Sequence, residues 1–157
     1  EYKNLIYIIA GDGPEKNNLS KTIKKLNLRN NIKILGRVNE MEKMSLYQLS
    51  HLHVMPTIND KMTSSIEGFG ISYIEAGNYG VPSVSSGIGG SKESVINNKT
   101  GIICNPNSVT SIKNSIKKIL NNKKSYEQMS LNAKKFSKRF LWNKIIKQYL
   151  NLLNKNL

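Results

Sequence analysis

The sequence contains 157 residues, with 24 Lys and Arg against 10 Asp and Glu, which gives a formal net charge of +14. Its length predicts one domain with a sizeable core, and no apolar block approaches the ~20 residues that cross a bilayer, so a transmembrane chain is excluded. A single cysteine, Cys104, excludes a disulfide framework or a cysteine-based zinc site within these residues.

The first half of the chain alternates short apolar runs with helical patterns. Residues 5–10 are apolar and rich in isoleucine, which predicts a buried parallel strand, and the motif Gly11-Asp-Gly-Pro14 ends it with a structural turn. The same reasoning predicts the following elements in order: a helix at 15–28, a strand at 32–35, a helix at 42–50 and a strand at 52–55. A polar loop is expected at 57–66.

The second half continues the alternation and then becomes helical. A helix is predicted to close at Gly80, and Pro82 places the following strand, 81–84, at a sheet edge or puts the proline at the strand start. The remaining predictions are a glycine turn at 87–90, a helical turn at 91–96, a strand at 101–104, and helices from 108, at 126–137 and at 142–153. Alternating strands and helices predict an α/β fold with a Rossmann-like parallel sheet flanked by helices.

The positive charge is concentrated in these C-terminal helices. Residues 1–98 hold 11 basic and 9 acidic residues, a net +2, whereas residues 99–157 hold 13 and 1, a net +12. Only three of the 24 basic residues are arginines, the residue best suited to phosphate and base recognition, which weakens a nucleic-acid interpretation. Two explanations stay open: compositional drift toward Lys and Asn, or a face that contacts an anionic membrane.

The segment Glu67-Gly-Phe-Gly-Ile-Ser-Tyr-Ile-Glu75 is the strongest candidate site. Two glycines at the start of a helix allow a ligand close to the backbone, where free N–H groups and the helix dipole favour a phosphate. Glu67 and Glu75 are eight residues apart, ~12 Å if the whole segment is helical. A carboxylate at each end could accept hydrogen bonds from the hydroxyls of a sugar and a ribose.

Other residues are assigned structural roles or weaker functional ones. His51 and His53 lie at a predicted strand start, and a shared metal is not expected there. Cys104 is expected to be a buried apolar residue. Glu93 could brace the glycine turn or contact a ligand. Candidate hydrogen-bond donors to a ligand are Ser85, Ser86 and Ser91, and residues expected to pack are Trp142, Ile145 and Tyr149.

The motifs in their order resemble the C-terminal, donor-binding domain of family 4 (group 1) retaining glycosyltransferases, which have the GT-B fold. The resemblance covers nearly the whole chain. It is carried by Gly11-Asp-Gly-Pro14, Leu35-Gly-Arg-Val38, Glu67-Gly-Phe-Gly-Ile71, Glu75-Ala76, Gly80-Val-Pro82, Gly89-Gly90 with Glu93, Gly101, and Phe140-Leu-Trp142.

The resemblance implies a role for each matching residue. Glu67, as the catalytic residue, would contact hydroxyls of the donor sugar, and Glu75 would bind the ribose. Backbone amides near the diphosphate would come from Gly68, Phe69, Gly70 and Ile71. Arg37 and Val38 would border the nucleobase. No metal and no cofactor are implied, since the substrate is a UDP- or GDP-type sugar and no Asp-x-Asp motif occurs.

The resemblance also implies that residues 1–157 are one partial donor domain of a longer enzyme, with C-terminal helices at about 126–153. The first strand–helix unit and the N-terminal acceptor domain would be missing, and the fragment alone would be inactive. The loop before Glu67 is similar to the extended loops of some mannosyltransferases. The implied enzyme transfers a hexosyl unit with retention to a glycan or lipid-linked acceptor. It would work in the cytoplasm, peripherally at the inner membrane face.

Two alternatives remain from other classes. A non-catalytic basic module binding nucleic acid or anionic membrane is supported by the +12 of residues 99–157, but no aromatic–basic interleaving accompanies it. A sugar-nucleotide epimerase of the same fold is disfavoured by Glu67 and Glu75 with Gly-Phe-Gly between them.

Overall fold

The structure, a computed structural model, describes residues 4–58 and 67–154. Contacts group the chain into two compact units, Glu1–Leu46 and Tyr47–Leu157. The organisation as one partial domain stays a prediction. Most of the predicted loop before Glu67 lies outside the described residues.

Short parallel strands alternate with helices, as the sequence predicts. The strands are β1 (Tyr7–Ala10), β2 (Ile32–Gly36), β3 (His53–Met55), β4 (Ser83–Ser85) and β5 (Gly101–Ile103). The helices are α1 (Lys16–Lys25), α2 (Glu40–Leu49), α3 (Ile71–Asn78), α4 (Ser91–Ser94), α5 (Val109–Leu120), α6 (Lys123–Ser137) and α7 (Trp142–Asn154), with a 3-10 turn at Lys138–Phe140. The α/β class with parallel strands and flanking helices is therefore confirmed.

In the first unit, β1 pairs in parallel with β2, and Tyr7 lies opposite Ile32. The Gly11-Asp-Gly-Pro14 motif forms the expected turn, where the Gly11 N–H donates to the Gly36 carbonyl at 2.7 Å. The prediction that residues 5–10 form a buried strand is wrong within this chain, because Tyr7 and Ile8 are about two-fifths exposed. Two strands, helix α1 and the first part of helix α2 provide too little surface to cover both faces of such a sheet.

Helix α2 begins with a reciprocal capping box. The Asn39 side chain accepts from the Glu42 N–H at 2.9 Å, and the Glu42 carboxylate accepts from the Asn39 N–H at 2.8 Å. Two N–H groups that the helix leaves unpaired are satisfied in this way. The helix therefore starts two residues before the predicted position.

In the second unit the strand order is β3-β4-β5, all parallel. The central position of β4 shows that its predicted placement at an edge is wrong and that the alternative, a proline at the strand start, is right. Pro82 comes directly before β4, and its carbonyl accepts from the His53 N–H at 3.0 Å. The missing N–H of a proline costs no ladder hydrogen bond at that point.

The core lies between this sheet and the helices that follow it. Its buried members are Val84, Ile102, Cys104, Ile119 and Met129, with Leu52, Val54, Ile112, Ile116 and Tyr126 packed against them. Cys104 is buried one residue after β5, which confirms its predicted apolar role.

Side-chain caps place the two helices of this layer. The Ser108 hydroxyl accepts from the Ser111 N–H at the start of α5, and the Asn122 side chain accepts from the Ser125 N–H at the start of α6. The second cap starts α6 three residues earlier than predicted, because the periodic apolar residues begin only after the cap.

Helix α7 has an exposed apolar face. Trp142 is 78% exposed, Tyr149 64% and Ile145 36%, so the predicted packing of these residues is not met within this chain. Among the described residues, no helix combines the length and hydrophobicity needed to cross a membrane.

Candidate functional site

A turn of four residues connects Glu67 to helix α3. Gly70 has φ +80°, in the left-handed region that favours glycine, and its N–H donates to Oε1 of Glu67 at 2.9 Å. A Cβ at Gly70 would also lie 2.4 Å from Cδ2 of Tyr73. The backbone angle and the neighbouring ring together explain why glycine occupies this position.

The glycine turn after β4 packs directly against this segment. The Gly90 N–H donates to the Glu67 carbonyl at 3.0 Å, and a Cβ on Gly90 would lie 1.8 Å from the Gly68 carbonyl oxygen. The sequence predicts a glycine turn at residues 87–90. In the structure this turn is a close backbone neighbour of the Glu67–Gly70 turn.

Helix α3 presents its N-terminus at this turn. The N–H groups of a first helical turn have no acceptors within the helix, and the helix dipole adds a partial positive charge there. Ile71, the first helical residue, is 67% exposed, whereas Gly70 is buried. The arrangement can bind an anion such as a diphosphate.

Phe69 anchors the turn through aromatic contacts. Its ring lies 5.3 Å from the ring of Phe140, which in turn lies 5.2 Å from the ring of Phe136. The Phe69 side chain therefore packs against the residues between α6 and α7. The function that the sequence assigns to this residue depends on its backbone N–H alone.

Glu75 is half-buried in the second turn of α3, among aromatic residues. The Tyr47 hydroxyl donates to Oε2 of Glu75 at 3.1 Å. The Tyr47 ring stacks with Tyr79 and meets His53 edge-on, both at 6.0 Å between ring centroids. Glu75 is thus supported from the end of α2.

His53 lies in the interior of this aromatic group. Its ring packs edge-on against Tyr73 at 5.2 Å, and Nδ1 is 3.3 Å from Oγ of Ser83. Burial lowers the pKa of His53 to about 4, although the nearby Glu75 carboxylate partly opposes that change. The imidazole is therefore neutral at physiological pH. His51 is exposed and lies before β3, which begins at His53, so the predicted strand geometry does not apply to it.

The Tyr73 hydroxyl donates to the carbonyl of Met55 at the end of β3. Burial is the main cause that raises the pKa of Tyr73. Tyr73 therefore ties the first turn of α3 to the carboxyl end of the sheet, where ligands bind in parallel α/β folds.

The three serines proposed as hydrogen-bond donors to a ligand are all buried, at the end of β4, directly after it and at the start of α4. The Ser85 and Ser86 hydroxyls accept from backbone N–H groups two residues on, and Ser91 donates to the Ile88 carbonyl at 2.7 Å. These bonds stabilise the glycine turn itself. Glu93 is exposed on α4, and its N–H donates to the Gly90 carbonyl at 3.0 Å.

Arg37 and Val38 follow β2 in the other compact unit. Arg37 is exposed and Val38 is half-buried. Their role beside a nucleobase stays a prediction, as do the roles of the residues between Glu67 and Glu75.

The aromatic support of Glu75 was missed from the sequence. Tyr47 lies in the predicted helix 42–50, 28 residues before Glu75. No spacing rule links a helix to a later one across an intervening strand, so the sequence contained no signal for this contact.

Comparison with known proteins identifies the family. The family model "Glycosyl transferases group 1" matches residues 1–136. The chain belongs to this family. The suspected resemblance is thereby confirmed.

Individual relatives agree with this assignment. The chain is 40% identical over 96 residues to the D-rhamnosyltransferase WbpZ of Pseudomonas aeruginosa, covering 60% of this chain and 24% of that protein. It is 31% identical over 150 residues to the 2-deoxystreptamine N-acetyl-D-glucosaminyltransferase of Niallia circulans, covering 95% and 37%. The fold matches Anabaena Alr3699/HepE, solved in complex with UDP-glucose, with a TM-score of 0.82 and 22% identity over 99% of this chain and 42% of that one. This chain therefore spans well under half the length of these relatives.

Proposed function

We propose that this chain forms the donor-binding part of a glycosyltransferase, which holds a nucleotide-diphospho-sugar while its glycosyl unit is transferred to an acceptor. The observation that carries the proposal is the Glu67–Gly70 turn. It places a carboxylate, two glycines and a helix N-terminus in succession, with Glu75 in the second turn of the same helix. Family membership and the UDP-glucose complex of Alr3699/HepE support a nucleotide sugar as the ligand.

Each part of the donor has a matching group. The N–H groups of Gly68, Phe69 and Ile71 and the dipole of α3 would stabilise the negative charge of the diphosphate, which increases as the sugar leaves. The Gly70 N–H already donates to Glu67 and instead holds the turn in place. The Glu75 carboxylate would accept hydrogen bonds from the ribose. Glu67 uses Oε1 to accept from Gly70, and a carboxylate has about four acceptor positions, so further ones are left for sugar hydroxyls.

The proposed transfer retains the anomeric configuration, in keeping with the group 1 resemblance. Glu67 lies in the turn before α3 and Glu75 in the second turn of that helix. Their proposed roles toward different parts of the donor do not suit the carboxyl pair of retaining glycosidases, which are only ~5 Å apart. The work of this part is instead positioning and charge stabilisation. Because the chain spans 24–42% of its relatives, we propose that the isolated 157 residues do not transfer sugar alone.

Isothermal titration calorimetry of the full-length protein with UDP-glucose and GDP-mannose tests this function. One of the two should bind, and Glu75→Ala should weaken its binding at least tenfold, because hydrogen bonds between a carboxylate and ribose hydroxyls are lost. Glu127→Ala, which removes an exposed carboxylate from α6, is the matched control. If neither nucleotide sugar binds, or if both variants bind as the native protein does, the proposal is wrong.

Contact with an anionic membrane is a second proposal, supported by a separate observation. Residues 99–157 have a net charge of +12, and the apolar face of α7 is exposed in the described residues. Such a contact would place the enzyme near a lipid-linked acceptor. Co-sedimentation with phosphatidylglycerol vesicles at low and high salt tests it.

A further inference from the structure

Tyr47 links the end of helix α2 to the middle of helix α3. Its hydroxyl donates to Oε2 of Glu75 at 3.1 Å, across 28 residues of sequence. Both side chains are half-buried, so this hydrogen bond is partly shielded from water. A hydrogen bond to a charged carboxylate is stronger than one between neutral groups.

Packing determines the position of the Tyr47 ring independently of that bond. The ring stacks on Tyr79 with an angle of 21° between the planes, and His53 meets it at 80°. Tyr79 caps the C-terminal end of α3, four residues after Glu75, so the two side chains lie on the same side of the helix. Tyr47 therefore contacts two successive positions of the helix and aims its hydroxyl at the carboxylate.

We propose that Tyr47 is a positioning residue that fixes the orientation of the Glu75 carboxylate and thereby sets the affinity for the ribose hydroxyls of the donor. The inference rests on the proposed function, in which Glu75 binds the ribose. A carboxylate has two oxygens and about four acceptor positions, and Tyr47 occupies one of them on Oε2.

The benefit of such a bond is preorganisation. A glutamate side chain loses rotamer freedom when it binds a ligand, and a bond present beforehand removes part of that cost. The neutral His53 beside the Tyr47 ring adds no competing positive charge to Glu75 at physiological pH. Loss of the Tyr47 hydroxyl should therefore reduce ribose recognition while the diphosphate contacts remain.

Calorimetric titration of the full-length Tyr47→Phe variant with UDP and 2′,3′-dideoxy-UDP tests this inference, with the guanosine pair titrated in parallel. The variant keeps the ring and removes only the hydroxyl. Its affinity for the ribonucleotide that the native protein prefers should fall about tenfold. Its affinity for the matching dideoxynucleotide should stay within about twofold of the native value. Tyr126→Phe, which removes a hydroxyl from a residue of α6 that packs against the core, should leave both affinities unchanged.

The outcomes separate this inference from the proposed function. Equal weakening of both nucleotides in Tyr47→Phe would show a general structural role and overturn the inference, as would unchanged binding. If Glu75→Gln also weakens the binding of both nucleotides equally, or leaves both unchanged, the assignment of the ribose to Glu75 fails with it. If Tyr47→Phe does not fold, O-methyltyrosine at position 47 keeps the ring and the oxygen but cannot donate, and selective weakening of ribonucleotide binding is then required.

Discussion

Gly90 shows how a single missing side chain shapes the candidate site. Its N–H donates to the Glu67 carbonyl, and its Cα faces the Gly68 carbonyl so closely that a Cβ would lie 1.8 Å from the oxygen. The obstacle is backbone, so no side-chain rotation can relieve it. A larger residue at position 90 must displace the Glu67–Gly70 turn.

Gly90→Ala is therefore expected to weaken nucleotide-sugar binding at least tenfold and to destabilise the fold by about 1–3 kcal/mol, the usual cost of overpacking. Calorimetry and urea unfolding measure the two effects. Gly13→Ala is the matched control, because a Cβ at Gly13 meets no atom within 4 Å. Native-like donor binding by Gly90→Ala would contradict the close contact.

His53 makes folding stability depend on pH. Its pKa in the folded chain is about 4, below the ordinary 6.5, so between these values the unfolded chain binds more protons. Stability from the neutral imidazole is fully present above pH 6.5 and is lost as the pH falls toward 4. Between pH 7 and pH 5 the loss amounts to about 2 kcal/mol.

Urea unfolding at pH 7 and pH 5 measures this loss. His53→Gln should reduce the difference in unfolding free energy between the two pH values, whereas the exposed His51→Gln should retain it. The test depends on the difference in unfolding free energy between pH 7 and pH 5, because His53→Gln will lower stability at both. An unaltered pH dependence in His53→Gln would show that another group is responsible.

At the scale of helices and strands, the sequence predicts most elements because their signals are local. Apolar β-branched runs identify the strands, and periodic spacing identifies α5 and α7. The wrong predictions concern which neighbours pack against an element. Residues 5–10 have the composition of a buried strand, but burial depends on neighbours that no local pattern specifies. Pro82 similarly indicated a strand start or an edge, and only the pairing of β4 with both β3 and β5 decided between them.

The candidate site likewise has a part that local sequence predicts and a part that depends on the fold. The segment from Glu67 to Glu75 is continuous in sequence, so its glycines and carboxylates could be identified from spacing and resemblance. Contacts from distant residues could not, because Tyr47 and Gly90 reach this segment only through the fold. These contacts depend on the three-dimensional fold, and the composition of the chain does not indicate them.

At the scale of the whole chain, charge and burial are both uneven. The +14 charge arises almost wholly from residues 99–157, whereas the segment from Glu67 to Glu75 contributes two negative charges and no positive one. The buried hydrophobic residues among those described all lie between Tyr73 and Ala133. The two compact units therefore differ in how much apolar surface they remove from water.

This difference predicts unequal local stability in the 157-residue chain. In the described part of the first unit, residues 4–46, Gly36 alone is buried, and a two-stranded sheet is marginal in water. In the second unit, β4 is central and its Val84 is fully buried. Because burial of apolar surface is the main source of stability, the first unit should open at lower free energy.

Native-state hydrogen exchange, followed by mass spectrometry at increasing urea, measures these opening free energies. Amides of β1 and β2 should be protected at least tenfold less than those of β4, a difference of about 1.4 kcal/mol. The amides of β5 are the control. Ile102 of β5 packs in the same core as Val84 of β4, so the amides of both strands should exchange at a similar opening free energy. Equal protection in β2 and β4 would mean that the chain opens as one cooperative body, in spite of its uneven burial.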